Sequence, residues 1–174
     1  MTVRVGTGIS TEHDPLEAGT AAARGAAAGL GGAHADLAVV FASGTHLVAP
    51  EATLEGVHGV LAPASLLGCG AGGVLGRGRE LEDGTALAVW AAAFGGGEAT
   101  PFHATLEGEE PEYELAGLPS LDGCSGVLML SDPHSFPTEA ALEMFAAEAP
   151  AVPVLGGIAS ARSAAGDAAL FLGE

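Results

Sequence analysis

The sequence predicts a mixed α/β (α+β) fold in which pseudo-duplicated β-α-β-β units form mixed sheets packed with helices. Two apolar runs, 37–42 (LAVVFA) and 86–94 (ALAVWAAAF), have the uninterrupted hydrophobicity of strands that are buried on both faces. Helix signals alternate with strand signals along the chain, which is typical of α/β architectures. With 174 residues, the chain is expected to form a single domain over residues 1–174.

An internal repeat supports the predicted duplication. The stretch VVFASG corresponds to LMLSDP, which aligns Ser43 with Ser131. The stretch LLGCGAGG corresponds to VLGGIASA at the same offset of 88 residues, which aligns Gly68 with Gly156. Two such halves are expected to pack their sheets together. The predicted pseudo-repeats cover approximately residues 36–94 and 124–172.

Local signals predict where the individual elements begin and end. Asp14 and Pro15 provide an N-cap and a first-turn proline for an alanine-rich helix that should end at Gly31. Apolar runs and glycine or proline breaks predict the remaining elements. These are strands at 3–9, 66–67, 102–106, 127–130, 152–155 and 168–172, helices at 50–61 and 137–148, and a loop at 107–123.

The charge of the chain excludes some classes of partner. Its 22 acidic residues face five arginines and no lysine, which gives a formal net charge of −17. Nucleic-acid binding depends on cations that neutralise phosphates, so a nucleic-acid partner is not expected. An anionic membrane surface is disfavoured for the same reason. Alanine supplies much of the hydrophobic content, so the elements should pack closely through small side chains.

The cysteines and the hydropathy pattern favour a cytoplasmic protein. Cys69 and Cys124 fit two reduced thiols better than a disulfide framework. No secretory signal is visible at the amino terminus, and no uncharged apolar run reaches the ~18–20 residues needed to span a bilayer.

A glycine motif raises the question of a nucleotide cofactor. Gly68, Gly70 and Gly73 spell G-x-G-x-x-G, the fingerprint of dinucleotide-binding folds. That fingerprint needs a helix directly after the glycines, whereas here two further glycines and a predicted strand follow. We therefore expect no cofactor and interpret the glycines as sharp backbone bends that allow close approach of another backbone. The bends at 68–73 and 156–157 could together form a pocket wall.

Four blocks in order resemble the amino-terminal part of the FIST (F-box and intracellular signal transduction) domain. They are VVFAS, LLGCGAGGVLGRGRELEDG, SDPHSFP and VPVLGGIASA. The resemblance implies a sensory domain that binds a small ligand, with amino acids as the proposed ligands. It also implies a carboxy-terminal FIST portion or a signalling module as partner.

The candidate ligand-binding residues lie at strand ends and around the glycine bends. Open α/β sheets place ligands at the ends of their central strands, and arginine can hold a ligand carboxylate bidentately. The candidates are Ser43, His46, Gly68, Cys69, Gly70, Arg77, Ser131, Asp132, His134, Gly156 and Gly157.

Each candidate also has a purely structural interpretation. Cys69 is expected to be buried and inert rather than nucleophilic, and Cys124 likewise. His46 and His134 are expected to be exposed loop residues, and Arg77 is expected to pair with nearby acids. The acidic stretch 107–114 is expected to be a solvated flap.

The sequence as a whole predicts a non-catalytic cytoplasmic sensory or signal-transduction domain that binds a small, amino-acid-like ligand. Two alternatives stay open at this point. One is a haem-binding gas sensor with an axial histidine or cysteine, and the other is a small-molecule hydrolase that uses Cys69 or Ser131. No metal site is expected, because neither histidines nor cysteines show the spacing of zinc ligands.

Overall fold

The computed structural model of the protein describes residues 2–109, 112–118, 120–161 and 169–173. These residues form a mixed α/β structure, as predicted. The helices are Pro15–Leu30 (α1), Pro50–Leu61 (α2) and Thr138–Glu148 (α3), with a 3₁₀ helix at Gly44–Leu47. The strands are Arg4–Ser10 (β1), Leu37–Ser43 (β2), Ser65–Gly70 (β3), Val74–Gly76 (β4), Arg79–Leu81 (β5), Ala86–Ala93 (β6), Thr105–Glu109 (β7), Glu112–Ala116 (β8), Val127–Ser131 (β9), Val154–Ile158 (β10) and Leu170–Gly173 (β11).

The main sheet has five strands in the order β1-β6-β2-β3-β11. β2 and β3 are parallel and α2 connects them, whereas the other neighbouring pairs are antiparallel. The register aligns Val40 of β2 with Gly68 of β3 and with Val89 of β6. The core lies between this sheet and the helices α1 and α2, where Val40, Val57 and Leu87 are fully buried.

The ends of α1 follow directly from local sequence. The side chain of Asp14 accepts a hydrogen bond from the backbone nitrogen of Glu17 at 2.9 Å, and this satisfies one of the free donors of the first turn. Gly31 ends the helix in the left-handed conformation with φ of 60°. Nη1 of Arg4 donates to the carbonyl of Leu30 at 3.1 Å and to that of Gly31 at 3.0 Å. The predicted start and end of this helix are confirmed.

Close packing through small side chains is most pronounced around α1. A Cβ on Gly8 of β1 would collide with the carbonyl oxygen of Ala22 in α1. A Cβ on Gly19 of α1 would likewise collide with the carbonyl oxygen of Thr53 in α2, next to Gly56. The helix therefore approaches both the sheet and α2 at backbone distance, as the alanine-rich composition predicts.

The second β-α-β unit lies outside the main sheet. β9 and β10 pair in parallel as a separate two-stranded sheet, and α3 connects them. β11, which the predicted duplication assigns to this second half, instead pairs with β3 of the first half. The predicted second half is thus divided between the separate β9–β10 sheet and the main sheet, and the equivalence of the two β-α-β units stays a prediction.

The first glycine stretch contains a bend, whereas the second lies within a strand. The bend falls at Gly72 and Gly73 between β3 and β4, and Gly68 and Gly70 precede it in β3. Gly156 and Gly157 lie in β10, so no corner is present there. The expected close backbone approach is present, because a Cβ on Gly68 would collide with the Val40 carbonyl oxygen. The residues after Gly73 form β4, so a strand follows the glycines where a dinucleotide-binding loop would have a helix.

Two short hairpins were not predicted. β4 and β5 pair across a two-residue turn, in which Arg77 and Gly78 both have positive φ angles of 51° and 72°. β7 and β8 pair antiparallel within the acidic stretch that was expected to be a loop. Both hairpins lie outside the five-stranded sheet.

Candidate functional site

A cleft of about 1180 Å³ opens beside the β3–β11 edge of the main sheet. β3 and β11 form one wall, and β9 together with the segments 97–106 and 120–126 forms the others. Small-molecule sites commonly have volumes of about 300–1,000 Å³ and mostly apolar walls. The volume of the cleft therefore exceeds that of a typical small-molecule site.

Aromatic side chains are concentrated around this cleft. The chain has six phenylalanines, and four of them line the cleft, although aromatic residues make up only 5% of the sequence. The four are Phe94, Phe102, Phe136 and Phe171. Sequence reasoning missed them as site residues. Their position in the chain could have indicated them. Three of the four lie outside strands and helices, where a large apolar side chain is unusual unless it contributes to packing or to a binding site.

Polar side chains gather at the cleft where β9 ends. Oγ1 of Thr138 donates to Oγ of Ser131 at 2.8 Å. The backbone nitrogen of His134 donates to Oδ1 of Asp132 at 2.8 Å, and Oγ of Ser135 donates to Oδ2 at 2.7 Å. Ser131 and Asp132 are only 2% and 6% exposed. Because these contacts fix both side chains, the hydroxyl and carboxylate groups are held in set orientations before any ligand arrives.

The structure does not bring the predicted site residues together in one place. Gly68, Ser131 and Asp132 line the cleft. The others lie outside its lining: Ser43, His46, Cys69, Gly70, Arg77, His134, Gly156 and Gly157. Conversely, Cys124, His103 and Ser135 line the cleft and were not among the predicted residues.

Ser43 has a structural position at the end of β2. Its hydroxyl donates to the carbonyl oxygens of Gly84 at 3.1 Å and Ala86 at 3.3 Å, and it accepts from the Ala86 nitrogen at 3.1 Å. These contacts join the end of β2 to the beginning of β6. The hydroxyl of Ser43 is thus already engaged in hydrogen bonds to the backbone of Gly84 and Ala86.

His46 is buried, contrary to the expectation that it is an exposed loop residue. Its exposed fraction is 0%, and neither ring nitrogen has a hydrogen-bond partner. Burial lowers the pKa of His46, and the neighbouring His13 ring lowers it further. The Glu12 backbone and the Asp14 carboxylate act in the opposite direction. The Glu12 backbone lies close to the ring but does not meet the geometry of a hydrogen bond. His134, by contrast, is exposed as expected.

The two cysteines differ in environment. Cys69 is 4% exposed, and burial raises the pKa of its thiol to about 11, so the thiolate that a nucleophile requires does not form near neutral pH. Cys124 was expected to be buried as well, but it is half-buried and lines the cleft. Its Sγ donates to the carbonyl of Gly126 at 3.0 Å. Both cysteines are free thiols, as predicted.

Arg77 lies in the β4–β5 turn, away from the cleft. Its guanidinium extends towards α1 near Gly25. Within the described ranges of the chain, neither Arg77 nor Arg79 forms an ion pair, so the expected pairing with neighbouring acids is wrong.

Gly70, Gly156 and Gly157 shape the backbone next to the cleft rather than lining it. The Gly70 nitrogen donates to the Ala169 carbonyl at 2.8 Å, which ties β3 to β11. Gly156 has a φ of 148°, and a Cβ there would collide with the Met129 carbonyl oxygen. Around Gly157 the space is open, because an added Cβ would meet no atom within 4 Å.

Among the residues that the structure describes, no group of three or more His, Cys, Asp or Glu side chains could hold a metal ion. The described helices also include none with the length and apolar character needed to cross a bilayer.

The two nucleophile candidates of the hydrolase alternative, Ser131 and Cys69, are hydrogen-bonded and buried, respectively. The hydroxyl of Ser131 is hydrogen-bonded to Thr138 rather than to a base, and the Cys69 thiol is buried. Comparison with known families then identifies the family. Residues 36–174 match the family model of the FIST N domain, and the chain belongs to this family. FIST domains are associated with signal transduction and are generally regulatory or sensory.

The sequence also matches several mycobacterial proteins over almost its whole length. Uncharacterized proteins from two strains of Mycobacterium tuberculosis are 33% identical over 170 residues, a match that covers 97% of this chain and 44% of the relative. An uncharacterized protein of Mycobacterium bovis is 29% identical over 176 residues, with the same shares of the two chains. The chain thus spans less than half the length of these relatives. No solved structure matches it.

Proposed function

We propose that this chain is a non-catalytic sensory domain that binds a small ligand, an amino acid with an apolar side chain, in the cleft beside β3 and β11. The observation that carries the proposal is the convergence of four of the six phenylalanines and of the fixed polar groups after β9 on one cleft. Apolar walls with a few oriented polar groups are the usual composition of a ligand site.

The chemistry of the cleft supports an amino acid. Phe94, Phe102 and Phe136 offer apolar and aromatic surface for a ligand side chain. At the polar end, the hydroxyls of Ser131 and Ser135 line the cleft and can form hydrogen bonds with the polar atoms of such a ligand. Two free cysteines fit a reducing compartment, so we place this function in the cytoplasm.

A thermal-shift series over the L-amino acids tests the proposal. A ligand at 100 times its Kd stabilises the folded state by about 2.7 kcal/mol, which raises the Tm of a chain of this size by roughly 5–10 °C. We expect shifts for amino acids with large apolar side chains, and we expect Phe102→Ala to abolish them because it removes part of the apolar wall.

The control for this series is Ser43→Ala. Ser43 is a buried serine outside the cleft, so its replacement should lower the Tm of the free protein and leave the ligand-induced shift unchanged. Uniformly flat melting temperatures across the amino acids would contradict the proposal. So would a ligand-induced shift that is as large in Phe102→Ala as in the unaltered chain.

A further inference from the structure

A recess of about 340 Å³ adjoins the cleft, and we call it the Asp36 recess. Asp36 and Ala64 line the recess alone, whereas its other five lining residues also line the cleft. The shared residues are Ser65, Glu98, Ala99, Thr100 and Pro101. Because the two spaces have this wall in common, a ligand in the cleft can place one end in the recess.

Asp36 is a carboxylate that the backbone holds in place at this recess. It directly precedes β2 and is half-buried. Its Oδ2 accepts a hydrogen bond from the backbone nitrogen of Phe94 at 2.6 Å, and its own backbone nitrogen donates to the Ala92 carbonyl at 2.8 Å. Its Oδ1 accepts no hydrogen bond from the part of the chain that the structure describes. One oxygen therefore orients the carboxylate, and the other can accept a hydrogen bond from a ligand.

The other polar groups of the recess are also suited to a ligand that donates hydrogen bonds. Oγ of Ser65 donates to the Ala99 carbonyl at 2.8 Å, so this hydroxyl is engaged within the wall. Glu98 and Thr100 are exposed and contribute a carboxylate and a hydroxyl oxygen to the lining. An ammonium group has three donors and no acceptor, and it forms its strongest hydrogen bonds with carboxylates. The recess therefore has the chemistry of an ammonium site.

The charges around the cleft favour a cation and disfavour an anion. Glu98, Asp122 and Asp132 line the cleft, and Asp36 adds a further carboxylate in the recess. The arginines that the structure describes, at positions 4, 24, 77 and 79, line neither space. A cavity lined by charges of one sign concentrates ligands of the opposite sign and repels ligands of the same sign. For an amino acid, this field favours the ammonium group and opposes the carboxylate.

We propose that Oδ1 of Asp36 binds the ammonium group of the ligand, and that the ligand is an apolar amino acid in amide linkage, such as the first residue of a short peptide. This inference rests on the proposed function, because it takes the cleft as the ligand site. The apolar side chain contacts Phe94 and Phe102, and the amide replaces a carboxylate that the acidic lining repels. The cleft volume of about 1180 Å³ leaves room for a ligand longer than one amino acid.

Calorimetric titration with three compounds that share one aromatic ring tests this inference in the unaltered chain. They are L-phenylalanine, L-phenylalaninamide and 3-phenylpropionamide, which lacks the amino group. At pH 6.5 an α-amino group, with its ordinary pKa of about 7.7–8.0, is protonated and carboxylates are ionised. L-phenylalaninamide should bind about tenfold or more tightly than each of the other two, because it alone has the ammonium group without the carboxylate.

Asp36→Asn tests the residue itself. The asparagine keeps an oxygen for the Phe94 nitrogen but loses the charge, so the Kd of L-phenylalaninamide should rise about tenfold and that of 3-phenylpropionamide should stay the same. Asp122→Asn is the matched control, since Asp122 lines the cleft outside the recess and is exposed. It should change the Kd of L-phenylalaninamide by less than about twofold.

The outcomes separate this inference from the proposed function. If L-phenylalanine binds as tightly as its amide, or if 3-phenylpropionamide does, the inference is overturned while the cleft remains a ligand site. An equal loss of affinity in Asp36→Asn and Asp122→Asn would overturn the role of Asp36. If Asp36→Asn does not fold, the three compounds still decide between the ligand classes in the unaltered chain. No binding of any of the three would overturn the proposed function and this inference together.

Discussion

The two β-α-β units of this domain have similar local sequence patterns and very different surroundings. In the first unit, β2 and β3 are buried along nearly their whole length, between two further strands and beneath α1 and α2. In the second unit, every residue of β10 except Val154 is exposed. The units meet where the Gly72 nitrogen donates to Oγ of Ser160 at 3.0 Å, a contact between residues 88 positions apart. A strand–helix–strand pattern therefore specifies the elements, whereas their burial depends on the elements that pack against them.

The largest difference between the units should appear on adding a methyl group to one glycine in the second strand of each unit, Gly68 in β3 and Gly157 in β10. Gly68→Ala should lower the free energy of unfolding by about 3 kcal/mol, because its Cβ would collide with the Val40 carbonyl oxygen and backbone must move. Gly157→Ala should change it by less than about 0.5 kcal/mol, since an added Cβ there meets nothing within 4 Å. Urea unfolding of both variants measures the difference. Equal destabilisation would show that the two units are equally constrained.

A smaller difference is expected between the two strand-end serines. Ser43→Ala removes a hydroxyl that contacts the backbone of Gly84 and Ala86, and should cost about 2 kcal/mol. Ser131→Ala removes a single contact, to Thr138, and should cost about 1 kcal/mol. Denaturant midpoints of the two variants, compared at constant m-value, provide the measurement. A larger loss for Ser131→Ala would reverse the comparison.

The smallest effect concerns the two histidines that follow these strands. His46 is buried in its neutral form, and its folded-state pKa lies below the unfolded value of about 6.5. The unfolded chain therefore binds this proton more readily, so the contribution of His46 to stability is complete above about pH 6.5 and decreases as the pH falls towards the folded pKa. Glu12, His13 and Asp14 are the groups that face the ring.

Replacement of each histidine by leucine isolates this effect. His46→Leu should flatten the fall in unfolding free energy between about pH 7 and pH 5, because the leucine cannot take up a proton. His134→Leu makes the same substitution at an exposed position and serves as the control. Unfolding curves recorded at several pH values check both variants. An unchanged slope in His46→Leu would mean that other groups cause the acid sensitivity.

Local signals in the sequence were sufficient to predict much of the fold. The N-cap Asp14 and the C-terminal Gly31 determine the limits of α1 through contacts within a few residues, and the start and end predicted from them agree with the structure. The β4–β5 hairpin was missed because its turn uses Arg77 at a positive φ, where the usual signal is asparagine or glycine. Gly78, the second residue of the turn, is the local feature that could have indicated the hairpin.

The candidate site could be predicted only in part, because it depends on contacts between distant segments. The polar residues that end β9, Ser131 and Asp132, follow from the rule that ligands bind at strand ends. The same rule predicted Ser43 as a ligand-binding residue, but its hydroxyl is hydrogen-bonded to the start of β6 instead. Nothing local in the sequence shows that segments 97–106 and 120–126 close one cleft, or that the chain between β1 and α1 covers His46.

Because the two thiols differ in exposure, the unaltered chain has a natural labelling site for spectroscopy. Cys69 is sequestered beneath the sheet surface and stays protonated at ordinary pH, whereas Cys124 is partly accessible on the cleft wall. A maleimide fluorophore would therefore attach at a single position without any engineered mutation. Its emission would report directly on the filling or covering of the cleft, in real time and at low protein concentration.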